Sequence, residues 1–94
     1  MAETTMRLRL MTAEGRDLDQ EVHFVSLPVV GGAIGVFPKH MRLTAALQEG
    51  PVRFSSEKLG EKTVQIIGGF AEVTGDSVLV LTPHAEGECI EQHA

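Results

Sequence analysis

The first ordered pattern in the chain is a strict alternation. Met6, Leu8 and Leu10 fall on one side of an extended backbone and Arg7 and Arg9 on the other, the period-two signature of a half-buried strand. Glu14-Gly15-Arg16-Asp17 is polar and turn-forming, and Asp17 to Gln20, with Leu18 its one apolar residue, predicts a short edge strand. Val22 to Leu27 is more uniformly apolar and β-branched at Val22 and Val25. It predicts a central strand ended by Pro28, which has no amide hydrogen for a ladder. Thr44 to Leu47 fits either a strand or one helical turn. Glu49-Gly50-Pro51 then punctuates the chain before Val52 to Ser55 alternates again, with Val52 and Phe54 inward.

Glu57 to Lys62 predicts a charged hairpin loop centred on Gly60, leading into an apolar run from Thr63 to Ile67. Gly68 and Gly69 sit inside that apolar pattern, where paired glycines imply a bulge or a corner between sheets. Gly75-Asp76, between Phe70–Thr74 and Ser77–Leu81, predicts a two-residue hairpin with a primed turn. Val78 to Leu81 is apolar at every position and predicts a strand covered on both faces. No long segment of 3.6-residue period precedes Leu81. Short strands spaced by turns therefore predict an all-β fold, a two-sheet β-sandwich or flattened barrel. It occupies residues 1–88, and 89–94 form a short tail, since a helix of about ten residues is marginal alone.

The stretch Val29 to Leu47 holds Gly31, Gly32, Gly35, Pro38, Lys39, His40 and Arg42. Glycines permit sharp turns, Pro38 fixes its own φ, and the cations gather on a chain of net charge −5. This reads as a stiff contact loop. The acidic balance argues against a phosphate backbone as partner, and the absence of Trp and Tyr removes the usual stacking platform for single-stranded nucleic acid. Cys89 is the single cysteine, so no intramolecular disulfide forms and a reducing compartment is expected. No stretch has the length of uninterrupted apolar sequence that a membrane span or a secretion signal requires.

Four segments resemble the epsilon subunit of F-type ATP synthases, called delta in mitochondria. Gly32-Ala-Ile-Gly35-Val-Phe-Pro38-Lys-His40 is similar to that family's glycine loop, and Thr44 to Arg53 to the segment that follows it. Ile67-Gly-Gly-Phe-Ala-Glu-Val73 resembles a further family motif, as does Val78 to Leu81 followed by Ala85-Glu86. Together they cover about Met6 to Glu88 at consistent spacing.

The resemblance implies a sandwich of about ten strands, a non-catalytic rotor subunit of the central stalk. It would join the gamma subunit to the loops of the membrane c-ring in a proton- or sodium-driven enzyme. The complex would lie peripherally on the cytoplasmic side of a bacterial inner membrane, with neither nucleic acid nor direct membrane insertion involved. Carried over by position, Gly32, Ala33, Gly35, Pro38, Lys39, His40 and Arg42 fall in a loop serving the rotor contact. Phe70, Ala71 and Glu72 fall in a strand near the gamma-facing side. No cofactor is implied. Lys39 replaces a usual glycine and so disfavours positive φ there. Met41-Arg42 replaces Ala-Pro, and Ala33 stands where an acidic residue is common. Most bacterial members continue into a C-terminal helical hairpin that inhibits ATP hydrolysis and in some binds ATP. A chain stopping at Ala94 is expected to lack that hairpin and both activities.

Gly32-x-x-Gly35 lacks the Lys-Ser/Thr of a phosphate loop. His23, His40, His84, His93 and Cys89 show no short metal-ligand spacing. His23, Ser26 and Asp19 lack a nucleophile elbow. The alternative function is a free-standing sandwich that binds a small anion at Lys39, His40 and Arg42.

Overall fold

The alternation in the first strand sets the inner face on which the core is built. In the computed structural model, which describes residues 5–39, 42–87 and 91–92, β1 (Met6–Thr12) buries Met6, Leu8 and Leu10. A turn at 13–15, with Gly15 at φ +80° and the Arg16 amide donating to Thr12 Oγ1 at 2.8 Å, leads into β2 (Arg16–Val22). This strand is longer than the edge strand expected. Val22 joins Leu18 in the core, and among the described residues Arg16 and Asp17 pair with a further strand, β9 (Glu91–Gln92). Residues 91 and 92 are the part of the expected tail that falls among the described residues.

His23 alone separates β2 from β3 (Phe24–Val29), and its amide donates to the Ser55 carbonyl at 2.8 Å. β3 runs through Pro28 instead of ending before it. Its ladder to β5 covers only Phe24 to Ser26, so a missing amide hydrogen at position 28 interrupts nothing on that side. After the Val30–Gly31 turn, β4 (Gly32–Val36) returns antiparallel to β3. Most of the glycine stretch expected as a loop is therefore strand, because β3 offers it a partner.

β5 (Leu43–Ser56) and β6 (Gly60–Thr74) form one long hairpin, followed by β7 (Ser77–Thr82) and β8 (Ala85–Glu86). Glu49-Gly50-Pro51 does not break β5, and Thr44 to Leu47 is strand. The Ser56 hydroxyl accepts from the Lys58 and Leu59 amides at 3.2 Å, so the connection to β6 closes at Gly60 and is tighter than expected. At the β6–β7 hairpin neither Gly75 nor Asp76 adopts positive φ, so the turn is not primed. The Thr74 and Ser77 hydroxyls, 2.9 Å apart, tie its ends.

The strand order is β4-β3-β5-β6-β7-β1-β2-β9, with β8 also pairing β6. β1 and β7 run parallel, and the other pairings are antiparallel. Nine strands are described, against about ten expected, and they make one continuous sheet folded over on itself.

The fold-over lies at Gly68 and Gly69. Before them Val64 and Ile66 face inward; after them Ala71 and Val73 do, so the inward parity changes. β5 changes parity at the same level, from Leu47 to Val52 and Phe54. Registry does not slip: Leu47 faces Gly69 and Glu49 faces Ile67. No residue is inserted, so the corner is made by glycine backbone at φ +121° and +122° and not by a bulge. There β6 also exchanges neighbours, pairing β8 at Gln65–Ile66 and β7 from Phe70 on. One layer then holds β4, β3, β8 and the outer halves of β5 and β6; the other holds their remaining halves with β7, β1, β2 and β9. Leu8, Leu10, Val25, Leu27, Phe54, Ile66 and Val80 meet between them, fully or almost fully buried.

A β-carbon on Gly69 would stand 2.0 Å from the Leu81 carbonyl oxygen, whereas one on Gly31 would meet nothing within 4 Å. Both residues have left-handed φ. Gly69→Ala is therefore expected to lower the unfolding free energy by about 2–4 kcal/mol. Gly31→Ala should lower it by about 1 kcal/mol. Denaturant titration checks both, and equal small losses would mean that the corner does not need its glycine.

Candidate partner interface

Along β6 the period-two rule separates the three adjacent residues proposed for a contact. Phe70 and Glu72 point outward, but Ala71 is 1 % exposed and belongs to the core. This corrects the assignment of Ala71 to a surface. The register shows what accompanies Phe70. It lies opposite Ala46 on β5 and Leu81 on β7, and Leu81 lies beside Met11 on β1. Met11, Leu81 and Phe70 are 38, 47 and 61 % exposed, an apolar row across three strands.

The next outward row is Arg9, Leu79, Glu72 and Thr44. Beyond it, Arg7 Nε donates to Asp19 Oδ1 at 2.5 Å and its NH1 lies 4.0 Å from Glu21. The hydrogen bond to Asp19 pushes the Arg7 pKa above its ordinary value. One outer face of the sandwich therefore grades from apolar to charged. Such a contiguous apolar row with a polar rim is the anatomy of a protein-binding surface. Ile67, 51 % exposed, lies on the same strand but on the other side of the glycine corner.

The remaining candidates lie elsewhere. Gly32, Ala33 and Gly35 belong to β4, at the far edge of the other layer. Gly32 and Ala33 line an open depression of about 340 Å³ with Ser26, Pro28, Pro51 and Arg53. A β-carbon on Gly35 would meet the Phe24 ring at 3.1 Å, so a side chain there requires that ring to shift by a few tenths of an ångström. Pro38 and Lys39 leave β4 towards the β6–β7 turn, where the Lys39 amide donates to the Gly75 carbonyl at 2.8 Å. Lys39 takes φ +61°, so the left-handed geometry expected to require glycine is kept despite the side chain. Phe37 packs on Phe24 with ring centroids 5.0 Å apart. Arg42 borders a shallow depression of about 270 Å³ with Thr44, Glu72 and Thr74, at the margin of the graded face. His40 and Met41 lie outside the described residues. The fold thus brings Arg42, Phe70 and Glu72 to one face, ties Lys39 to the adjoining turn, and leaves Gly32, Ala33 and Gly35 apart.

Met11 and Leu81 were not among the sequence candidates. The available signal was Val78 to Leu81, apolar at every position, which was read as a strand covered on both sides. Leu81 is instead uncovered within this chain. The Asp19 carboxylate is paired with Arg7. Among the described residues no trio of His, Cys, Asp or Glu is placed to hold a metal ion.

Comparison with known proteins adds an independent finding. The family model for the ATP synthase delta/epsilon chain β-sandwich domain matches residues 5–88. The ATP synthase epsilon chain of Alkalihalophilus pseudofirmus is 37 % identical over 83 residues, which cover 88 % of this chain and 62 % of that protein. That of Carboxydothermus hydrogenoformans is 39 % identical over 87 residues, covering 92 % and 64 %. The chain thus spans a little under two thirds of the length of these relatives. Among solved structures, a chain of the Euglena gracilis mitochondrial ATP synthase (OSCP/F1/c-ring) matches 93 % of this chain and 56 % of its own length. Its TM-score is 0.79 at 21 % identity, a likeness of fold.

The backbone at Lys39 generates a stability prediction. Replacing it with glycine removes the left-handed penalty of about 1–2 kcal/mol and adds a smaller unfolded-state entropy cost. Lys39→Gly should raise the unfolding free energy by about 0.5–1 kcal/mol, read from the midpoint of a urea titration. Destabilisation would show that the Lys39 side chain makes a contact worth more than the strain.

Proposed function

This chain belongs to the ATP synthase delta/epsilon β-sandwich family, and from that premise we propose that it is a non-catalytic subunit of the central stalk. In this reading the graded face carrying Met11, Leu81 and Phe70 packs on the gamma subunit. The β4 strand with Gly32, Ala33 and Gly35, and the connection through Pro38, Lys39, His40 and Arg42, meet the loops of the c-ring. The complex would be driven by protons or sodium ions, with this chain peripheral on the cytoplasmic side of a bacterial inner membrane. Among the described residues no helix is long and apolar enough to cross a membrane.

The observation that carries the reading is the apolar row. Three large side chains exposed side by side on a folded sandwich are unfavourable in water, and a partner surface that covers them gains roughly 25 cal/mol for each Å² of apolar area removed from solvent. The work asked of such a subunit is mechanical. Two layers sharing one close-packed core yield little under load. The continuous sheet adds hydrogen bonding from β4 through to β9. A body of this kind transmits rotation between two contacts without needing a reactive group.

The test is a binding titration of the isolated gamma subunit. Phe70→Glu and Leu81→Glu place a charge in the middle of the row and should each weaken binding about tenfold or more. Glu57→Arg, in the β5–β6 turn, should leave it unchanged. Indifference to all three would remove this face as the contact.

A further inference from the structure

His84 stands between two carboxylates that come from separate parts of the fold. Its Nδ1 is 2.5 Å from Glu14 Oε1, in the turn joining β1 to β2, and its Nε2 is 3.3 Å from Glu86 Oε1, in β8. The backbone carbonyl of His84 accepts from the buried Thr82 hydroxyl at 3.2 Å, which anchors the residue to the end of β7. The ring itself is partly exposed, 33 %, so protons exchange with solvent.

The geometry makes this arrangement sensitive to a single proton. A neutral imidazole has one N–H and can donate to one carboxylate, while the other oxygen then faces a ring lone pair. Only imidazolium donates to both. Among the described residues no lysine or arginine pairs with Glu14 or Glu86. Of the other elements in contact, β7 contributes the uncharged Thr82, and β6 sets the uncharged Gln65 opposite Glu86. Among the described residues β8 pairs β6 at two positions, Gln65 with Glu86 and Ile66 with Ala85. The turn bearing Glu14 opens directly into the part of β2 that receives β9.

We propose that His84 is a protonation-controlled clasp, fastening β8 to the β1–β2 turn when charged and loosening it when neutral. The two carboxylates, Glu14 foremost and then Glu86, raise the pKa of the ring above its ordinary value of 6.5. Because the folded value is the higher one, the stabilisation is complete below about 6.5 and is lost as pH rises through the raised value. The clasp is closed on the acidic side.

The experiment uses the whole chain. The His84 ring resonances are followed by NMR from acidic to alkaline pH, together with amide exchange at Ile66, Ala85 and Glu86 corrected for its intrinsic pH dependence. A midpoint above 6.5, with protection of Ala85 and Glu86 falling severalfold across it, is the expected result. Glu14→Gln should lower the midpoint and shrink that fall, and His84→Lys, which stays charged, should hold protection level through the same range. A wild-type midpoint at or below 6.5, or protection that stays level while the ring titrates, overturns the proposal.

Discussion

An apolar sheet face must be covered, and a chain of this length has no helix among its described residues to cover it. The sheet covers itself. That solution depends on the place where β5 and β6 fold over, because a straight hairpin would keep one parity inward along its whole length. The outer halves would then turn Val52, Phe54, Val64 and Ile66 to water. The close approach of Gly69 to the Leu81 carbonyl leaves no space for a side chain. Gly50 has a similar but milder constraint on the neighbouring strand, where a β-carbon would meet Pro28 at 3.0 Å. The shared core between the two layers follows from this corner.

Much of the architecture was legible from periodicity alone. Met6, Leu8 and Leu10, and again Val52 and Phe54, announced both their strands and the direction of their side chains. The pair Gly68-Gly69 marked the place of the corner, as a bulge or a change of sheet, and the structure shows the change without the bulge. What periodicity could not express was how the corner is made. A parity change without an inserted residue is a property of two paired strands together, and register is not written in either one. For the same reason Glu49-Gly50-Pro51 looked like a break. Breaker residues report local preference, and here the ladder to β6 outweighs it, Pro51 pairing opposite Gln65. Gly32 to Val36 misled in the same direction.

The contact surface was legible in part. The family resemblance led to Phe70 and Glu72, which the fold exposes, and also to Ala71, which simple alternation would have placed in the core. Met11 and Leu81 become neighbours of Phe70 only through the β1–β7 and β6–β7 registers. Lys39 shows the converse. Its sequence identity argued against a left-handed backbone, but the hydrogen bond to Gly75 and the packing of Phe37 on Phe24 accompany that conformation regardless.

The parallel pairing of β1 with β7 bears on how the molecule is made. On the ribosome the β1–β2 hairpin emerges with one flank open, and its other neighbour, β7, follows only after β3 to β6. Until Ser77 to Thr82 has left the exit tunnel, Arg7 to Thr12 has no companion on that side. Translation through Thr82 therefore precedes closure of the barrel-like wrap. The N-terminal hairpin spends that interval as an unfinished edge, an opportunity for a chaperone or for misassociation with a neighbouring nascent chain.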